Sequence, residues 1–289
     1  MQTRDFDDFC CSNIHCTTDE RGVETITLAR PEKLNVLSFE TLKALSLELR
    51  RVEQSDRIRV VVLTGEGENF CAGLDLREAS SGASISYEEL SFLDLNALGV
   101  VLSPGERIER GRIMPRIVQE IMKRIQLLPQ IVVGRARGIA CGGGAGLLTA
   151  CDYVSASRTF RLWFSEVSFG FYPTLLFPFL SRKCPISKLR EVVLTCKRVD
   201  AEFAQTALGI VDAIDGAEET SDELTKIRNV SDIFLKNRDF DSLQATKRIF
   251  ASKLVPPDEE IVEGWEEHWR SWNRTICRRK ISQLFEKKD

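Results

Sequence analysis

Hydrophobic positions fall into two rhythms along this chain, and the two alternate. Unbroken apolar runs, Val60-Val61-Val62-Leu63 and Ile131-Val132-Val133, have the length and β-branched content of strands buried on both faces. Between them apolar residues recur every three or four positions. Phe39, Leu42, Leu45, Leu49 and Val52 share one face of a helix that Ser38 can cap and that runs to about Arg51. Ahead of it, Asn13–Thr17 and Val23–Leu28 flank a Gly-containing turn and read as a β-hairpin. The pattern then predicts a strand at Arg59–Thr64, a helix over 117–128, a strand over 131–134, a helix over 144–150 and a strand at Tyr153–Ala156. Strands alternating with helices in this way predict α/β architecture.

Residues 78–115 break the rhythm. Ser80-Ser81-Gly82, Ser103-Pro104-Gly105 and Met114-Pro115 are loop signals, yet Leu90, Phe92, Leu93, Leu95, Leu98, Val100, Val101 and Leu102 lie between them. Two readings stand side by side: a lid or pocket wall, or a segment packed on the body for stability. Beyond Ile186 the chain becomes helical and more charged, with helices predicted at Asp200–Leu208, Asp222–Asn237 and Ser242–Ala251. Pro256-Pro257 then starts a last helix through roughly Glu286. On it Trp265, Trp269, Trp272 and Ile276 form one stripe, which either covers its own core or docks on a neighbouring subunit.

Composition narrows the function classes. The 289 residues are 43% hydrophobic with a net charge of −3, enough for a large core and no global attraction to nucleic acid or anionic membrane. No apolar run approaches the ~20 residues of a membrane helix, and the acidic start lacks a signal core, so the expected location is the cytosol. The nine cysteines are scattered and odd in number, which argues against a disulfide framework. Cys10, Cys11, His15 and Cys16 cluster, but the adjacent pair is awkward for a tetrahedral metal, and no metal is expected.

The chemistry points to two glycine-centred turns, each after an apolar run: Phe70-Cys71-Ala72-Gly73-Leu74-Asp75 and Gly138–Gly146. A strand that ends in a Gly-rich bend and opens a helix leaves backbone N–H groups free to point at an anion. Two such sites converging on one oxygen make an oxyanion hole. Neither turn fits the dinucleotide fingerprint or the P-loop, no nucleophile elbow exists, and the two histidines, His15 and His268, lie in terminal segments. His268 reads most simply as a helix-surface residue. The remaining candidate is Glu166, in Leu162-Trp163-Phe164-Ser165-Glu166-Val167-Ser168-Phe169, where aromatic neighbours would raise its pKa. By position alone the better reading is a surface-loop glutamate paired with Arg158 or Arg161.

Four segments in order, Thr25–Leu37 with Arg30-Pro31-Glu32-Lys33-Leu34-Asn35, Val61–Leu76, Gly138–Asp152 and Leu194–Val211, resemble the enoyl-CoA hydratase/isomerase (crotonase) family. That resemblance implies a spiral of ββα turns, here over residues 1–195 with the apolar insertion near 78–115, followed by a helical trimerisation region over 196–289. It implies an acyl-CoA thioester as substrate, no further cofactor, and a homotrimer or dimer of trimers. By match of motif, the Leu74 and Gly143 N–H groups would hold the thioester enolate and Glu166 would move the proton. Arg30, Lys33, Leu34, Cys71, Ala72, Asp75 and Gly142 would contribute to the coenzyme A surface.

One departure matters. Hydratases of this family carry a second glutamate three residues beyond the middle glycine, where this chain has Gly146. A single glutamate resembles the isomerase arrangement, so isomerisation is favoured slightly over hydration. Glu78, Glu88, Glu89 or Asp94 in the insertion would have to replace the missing group in a hydratase. A thioester binder without turnover is the alternative of a different class, and a purely structural protein is a third.

Overall fold

A computed structural model of the chain describes residues 13–96, 98–216, 222–236 and 238–286; Cys10 and Cys11 of the N-terminal cluster lie outside them. In chain order the elements begin with β1 (Ile14–Thr18), β2 (Val23–Leu28), α1 (Phe39–Glu53), β3 (Val60–Gly65), α2 (Leu76–Ala79), β4 (Ser84–Ser86), β5 (Arg107–Glu109) and α3 (Arg110–Leu127). There follow β6 (Ile131–Ala136), β7 (Ile139–Cys141), α4 (Gly143–Ala150), β8 (Tyr153–Ala156), β9 (Arg161–Trp163), α5 (Glu166–Phe169), α6 (Phe177–Lys183) and α7 (Ile186–Thr195). The last are β10 (Val199–Asp200), α8 (Ala201–Thr206), β11 (Ala213–Ile214), α9 (Glu223–Leu235), α10 (Phe240–Leu254), α11 (Asp258–Trp272) and α12 (Thr275–Glu286).

The main sheet runs β1-β2-β3-β6-β8-β11, antiparallel only at the β1–β2 hairpin and parallel elsewhere. A second sheet, β10-β9-β7, continues through single bridges Cys71↔Ala140 and Leu37↔Leu74. Each chain segment thus lays one strand in the main sheet, turns into the second layer and returns through a helix, which is a ββα spiral. Every residue of β3 and β6 is buried, as unbroken apolar runs require. Ser38 caps α1, accepting from the Thr41 N–H at 3.2 Å, and Phe39, Leu42, Leu45, Leu49 and Val52 all face the core.

Two helix readings change. The helix expected from 117 begins at Arg110 and carries Pro115 inside it. Proline removes one backbone bond at a cost near 3 kcal/mol, but Ile113, Met114, Ile117, Ile121, Met122 and Ile125 are completely buried on the same helix. Each is worth about 1.5–3 kcal/mol, so burial wins. The expected single last helix is two. Asn273 Nδ2 folds back on the Trp269 carbonyl at 3.0 Å and the Arg274 N–H takes Ser271 O at 3.1 Å, closing α11. The Trp stripe therefore ends at Trp272. Trp265 and Trp272 are covered by their own chain, with Trp265 Nε1 donating to Arg112 O at 2.8 Å.

The insertion packs as part of the body. Leu90, Phe92, Leu93, Leu95, Leu98 and Val100 are buried, Phe92 against Phe39 edge-on, and Leu98 O accepts from the buried Arg116 Nε. Among the described residues no helix is long and apolar enough to cross a membrane.

The C-terminal helices are tied to the spiral by ions in low dielectric. Arg135, on β6 and 1% exposed, makes a bidentate pair with Asp215 at 2.7 and 2.8 Å and bonds Glu223 of α9 at 2.6 Å. Lys247 of α10 bonds Asp152 Oδ2 at 2.6 Å and the carbonyls of Ile125 and Gln130. Burial opposes both charges, raising the Asp152 pKa and lowering that of Lys247. Such a pair is expensive to break singly and cheap to replace whole. Lys247→Met is expected to lower unfolding stability by about 3–5 kcal/mol, and Lys247→Met with Asp152→Asn to recover most of it, as read by urea denaturation.

Candidate active site

Two strand-to-helix turns meet in the second layer. Cys71 N–H donates to Ile139 O at 3.0 Å and Cys141 N–H to Cys71 O at 2.9 Å, so the first turn is laddered onto the second. The approach depends on missing side chains. A Cβ at Gly144 would lie 2.4 Å from Cys71 O, and Gly73 holds a φ of +91° that favours glycine. A Cβ placed on Gly73 would be 3.4 Å from the Gly143 nitrogen, and one on Gly143 3.8 Å from the Leu74 nitrogen, so the two amides are neighbours. Neither amide has an acceptor among the described residues. Adjacent ones do: Gly142 N–H donates to Trp163 O at 3.1 Å and Asp75 N–H to Leu37 O at 3.0 Å.

A cavity of about 90 Å³ opens beside them, bordered by Leu74, Gly142, Gly143 and Glu166. Glu166 opens the one-turn helix α5, and its Oε1 lies 3.4 Å from where a Cβ on Gly142 would be. As a residue it is half-buried, yet Oε2 is sealed from solvent with no hydrogen-bond partner. Burial pushes its carboxyl up to about 7, against a weaker lowering by its own backbone N–H. The surface-pair reading fails: Arg161 donates instead to the carbonyls of Arg158 and Phe160.

The rest of the wall is apolar and aromatic, from Leu76, Pro115, Val118, Phe169, Phe171, Leu175, Leu176, His268 and Trp272. His268 corrects the surface reading. It is 5% exposed, stacked 5.1 Å from Phe171, with Nδ1 3.4 Å from Tyr172 O. Burial lowers its pKa to about 4, so the ring is neutral at pH 7. The sequence signal existed, since His268 lies within the Trp stripe, one residue before Trp269 and four before Trp272 on α11. What was missing was the knowledge that the stripe lies over the Gly-rich turns.

The other candidates divide. The Arg30–Leu34 turn lies alongside the first Gly-rich turn, Leu34 O accepting from the Ala72 N–H at 2.9 Å. Arg30 pairs with Asp75 at 3.4 Å, while Lys33 and Leu34 are exposed. Cys71 is buried and its thiol is pushed up to about 12, which makes it structural rather than nucleophilic. Of the described residues in 78–115 only Pro115 borders the cavity. Glu78 is held by Arg110 and the Phe39 N–H, Glu88 by the Gly105 N–H and Glu89 by the Ser86 N–H, and Asp94 borders a different cleft. None of these four carboxylates is available to replace the one missing at Gly146. That position is itself crowded: a Cβ there would lie 2.7 Å from Leu176 Cδ2 and 2.9 Å from Met122 Sδ, the flexible ends of two side chains.

Among the described residues one group, Cys16, Glu24 and Glu48, has metal-ligand spacing, far in sequence from the cavity residues. The Arg51 guanidinium already bridges its two carboxylates, 2.9 Å from Glu24 and 2.6 Å from Glu48.

Known proteins resemble this chain in sequence and in fold. The sequence profile described as enoyl-CoA hydratase/isomerase matches residues 23–248. A putative enoyl-CoA hydratase of Thermus thermophilus is 31% identical over 196 residues, 68% of this chain and 69% of that protein. The 1,2-epoxyphenylacetyl-CoA isomerase of Escherichia coli is 32% identical over 154 residues, and the match spans only about half of each protein, 53% of this chain and 51% of that one. The crystal structure of an enoyl-CoA hydratase from Bacillus halodurans superposes with a TM-score of 0.74 at 20% identity, covering 94% of this chain and all of that one, which shows a shared fold.

The raised Glu166 pKa has a stability signature. Unfolded, the carboxyl ionises near its ordinary value of 4.5; folded, it holds its proton to about 7. Between those values the folded state binds more protons, so stability falls as pH rises. Glu166→Gln is expected to be more stable than wild type at pH 8, by about 1–3 kcal/mol, and to match it at pH 4. Paired thermal melts at the two pH values check this.

Proposed function

The chain belongs to the enoyl-CoA hydratase/isomerase family, and on that premise we propose that it moves a double bond along the acyl chain of a CoA thioester. What carries the proposal is one juxtaposition: two neighbouring N–H groups without acceptors among the described residues, beside a cavity bordered by a carboxylate whose Oε2 is sealed from solvent and has no partner. The thioester oxygen accepts from Leu74 and Gly143, and Glu166 removes a proton from the α-carbon of a 3-enoyl thioester. The electron pair spreads into the dienolate, whose negative oxygen the two donors hold. Each donor is worth roughly 2.7–4 kcal/mol in the transition state. Glu166 then returns the same proton to the γ-carbon, giving the 2-enoyl thioester with no net gain or loss of atoms. A base with a pKa near 7 both takes and gives a proton readily at neutral pH.

Hydration asks for more. A water must be activated while a proton is delivered elsewhere, and two carboxylates divide that work. Gly146 supplies none, Leu176 and Met122 fill its surroundings, and the insertion carboxylates are engaged elsewhere. This supports isomerisation over hydration. Coenzyme A lies, in this reading, along the surface of Arg30, Lys33, Leu34 and the Cys71–Asp75 turn, with Arg30 and Lys33 toward its phosphates. A homotrimer, single or doubled, completes the proposal.

In the test, wild type and Glu166→Gln are assayed with 3-enoyl-CoA and 2-enoyl-CoA thioesters. Wild type is expected to isomerise the former much faster than it hydrates the latter, with kcat/KM rising through pH 7 as Glu166 ionises. The variant is expected to lose at least a hundredfold. Full activity in the variant removes Glu166 as the base; tight binding by calorimetry with no turnover on either substrate assigns a binder instead. Sedimentation velocity at micromolar concentration is expected to show trimers or hexamers, and a stable monomer contradicts the assembly.

A further inference from the structure

Trp272 borders two cavities at once. On one side is the 90 Å³ space with Glu166; on the other is a larger one of about 670 Å³ between α2 and α12, floored by Ile281 and Phe285. The indole is 6% exposed and stacks on Phe171 with ring centres 5.2 Å apart. Gly111 of α3 makes room for it: a Cβ there would lie 3.0 and 3.1 Å from indole atoms Cε2 and Cζ2. A rigid aromatic plate, seated in a notch that glycine leaves open, forms part of the wall of both spaces.

The smaller space holds on the order of six to eight water-sized groups, enough for a short acyl chain and little more. The direction of the chain follows from α2. Its N-cap, Asp75, faces Arg30 at 3.4 Å, on the coenzyme A side of the proposed site. The larger cavity borders the other end of α2, at Ala79 and Ser80. An acyl chain leaving the thioester away from coenzyme A therefore runs toward Trp272. Beyond it, Phe285 and Ile281 offer apolar surface, with the Arg77 guanidinium 4.6 Å over the Phe285 ring.

We propose that Trp272 is the residue that sets acyl length in this protein, a partition that confines the substrate to short acyl groups and closes off a chamber able to take longer ones. This rests on the acyl-CoA reading above. With the plate removed, each further methylene that enters the chamber is worth about a fourfold gain in affinity.

The experiment measures binding rather than turnover, using saturated butyryl-, octanoyl- and dodecanoyl-CoA in calorimetry with wild type, Trp272→Ala and Trp272→Leu. Wild type is expected to bind octanoyl-CoA no better than butyryl-CoA. Trp272→Ala is expected to bind octanoyl-CoA at least tenfold more tightly than butyryl-CoA, with Trp272→Leu between. Should the alanine variant fail to fold, as judged by near-UV circular dichroism, the leucine variant decides. Equal length dependence in wild type and variant overturns the partition while leaving acyl-CoA binding intact. Failure of wild type to bind any of the three thioesters overturns the acyl-CoA reading and the partition together.

Discussion

The structure depends on how closely two turns can approach through a two-bond ladder. Cys71 gives its N–H to Ile139 O and takes one from Cys141 on its own carbonyl, and everything at the site is measured from that contact. Glycine makes the contact possible at Gly144, where a methyl would strike the Cys71 carbonyl, and at Gly73, where the backbone turns left-handed. Beside the ladder, Gly142 gives its N–H to Trp163 O and Asp75 its N–H to Leu37 O, while the Leu74 and Gly143 amides have no acceptor among the described residues. An unpaired amide in a folded interior is costly, and this pair is held in place by rigid sheets on both sides. That pre-organisation is what lets such donors stabilise charge that develops only during a reaction.

Around the ladder the wall is arranged to keep charge scarce. Among the described residues Glu166 is the one carboxylate bordering the cavity, and burial keeps it near the balance point between acid and anion. The histidine that shares the wall is held neutral between aromatic rings and contributes no counter-charge. A low-dielectric cavity of this kind strengthens both the amide donors and any change in charge on Glu166. The same burial costs the folded chain stability as pH rises from about 4.5 to about 7, so a pKa near neutrality and resistance to unfolding pull in opposite directions at this residue.

Much of this was legible in the chain. The buried strands β3 and β6, the Ser38 cap and both Gly-rich turns stand where periodicity and turn chemistry put them, because those signals are local. The readings that changed were decided by packing. Pro115 looks like a stop and lies inside α3, since six buried side chains outweigh one lost bond. The final helix breaks at Asn273 through a side chain folding back on its own turn. His268 was hidden because only the tertiary path of α11 brings it over a site more than a hundred residues earlier in the chain. Glu166 was visible as a candidate, but its isolation from Arg158 and Arg161 was not.

Gly146 carries a consequence for how the site can change. Leu176 and Met122 occupy the space that a side chain there would need. A glutamate introduced alone meets two core side chains before its carboxylate reaches any substrate, and overpacking of that kind is destabilising in itself. Room for such a side chain comes only if the ends of Leu176 and Met122 turn aside. The first effect of a side chain at position 146 is therefore felt in the core, as a repacking of Leu176 and Met122, before any chemistry can change.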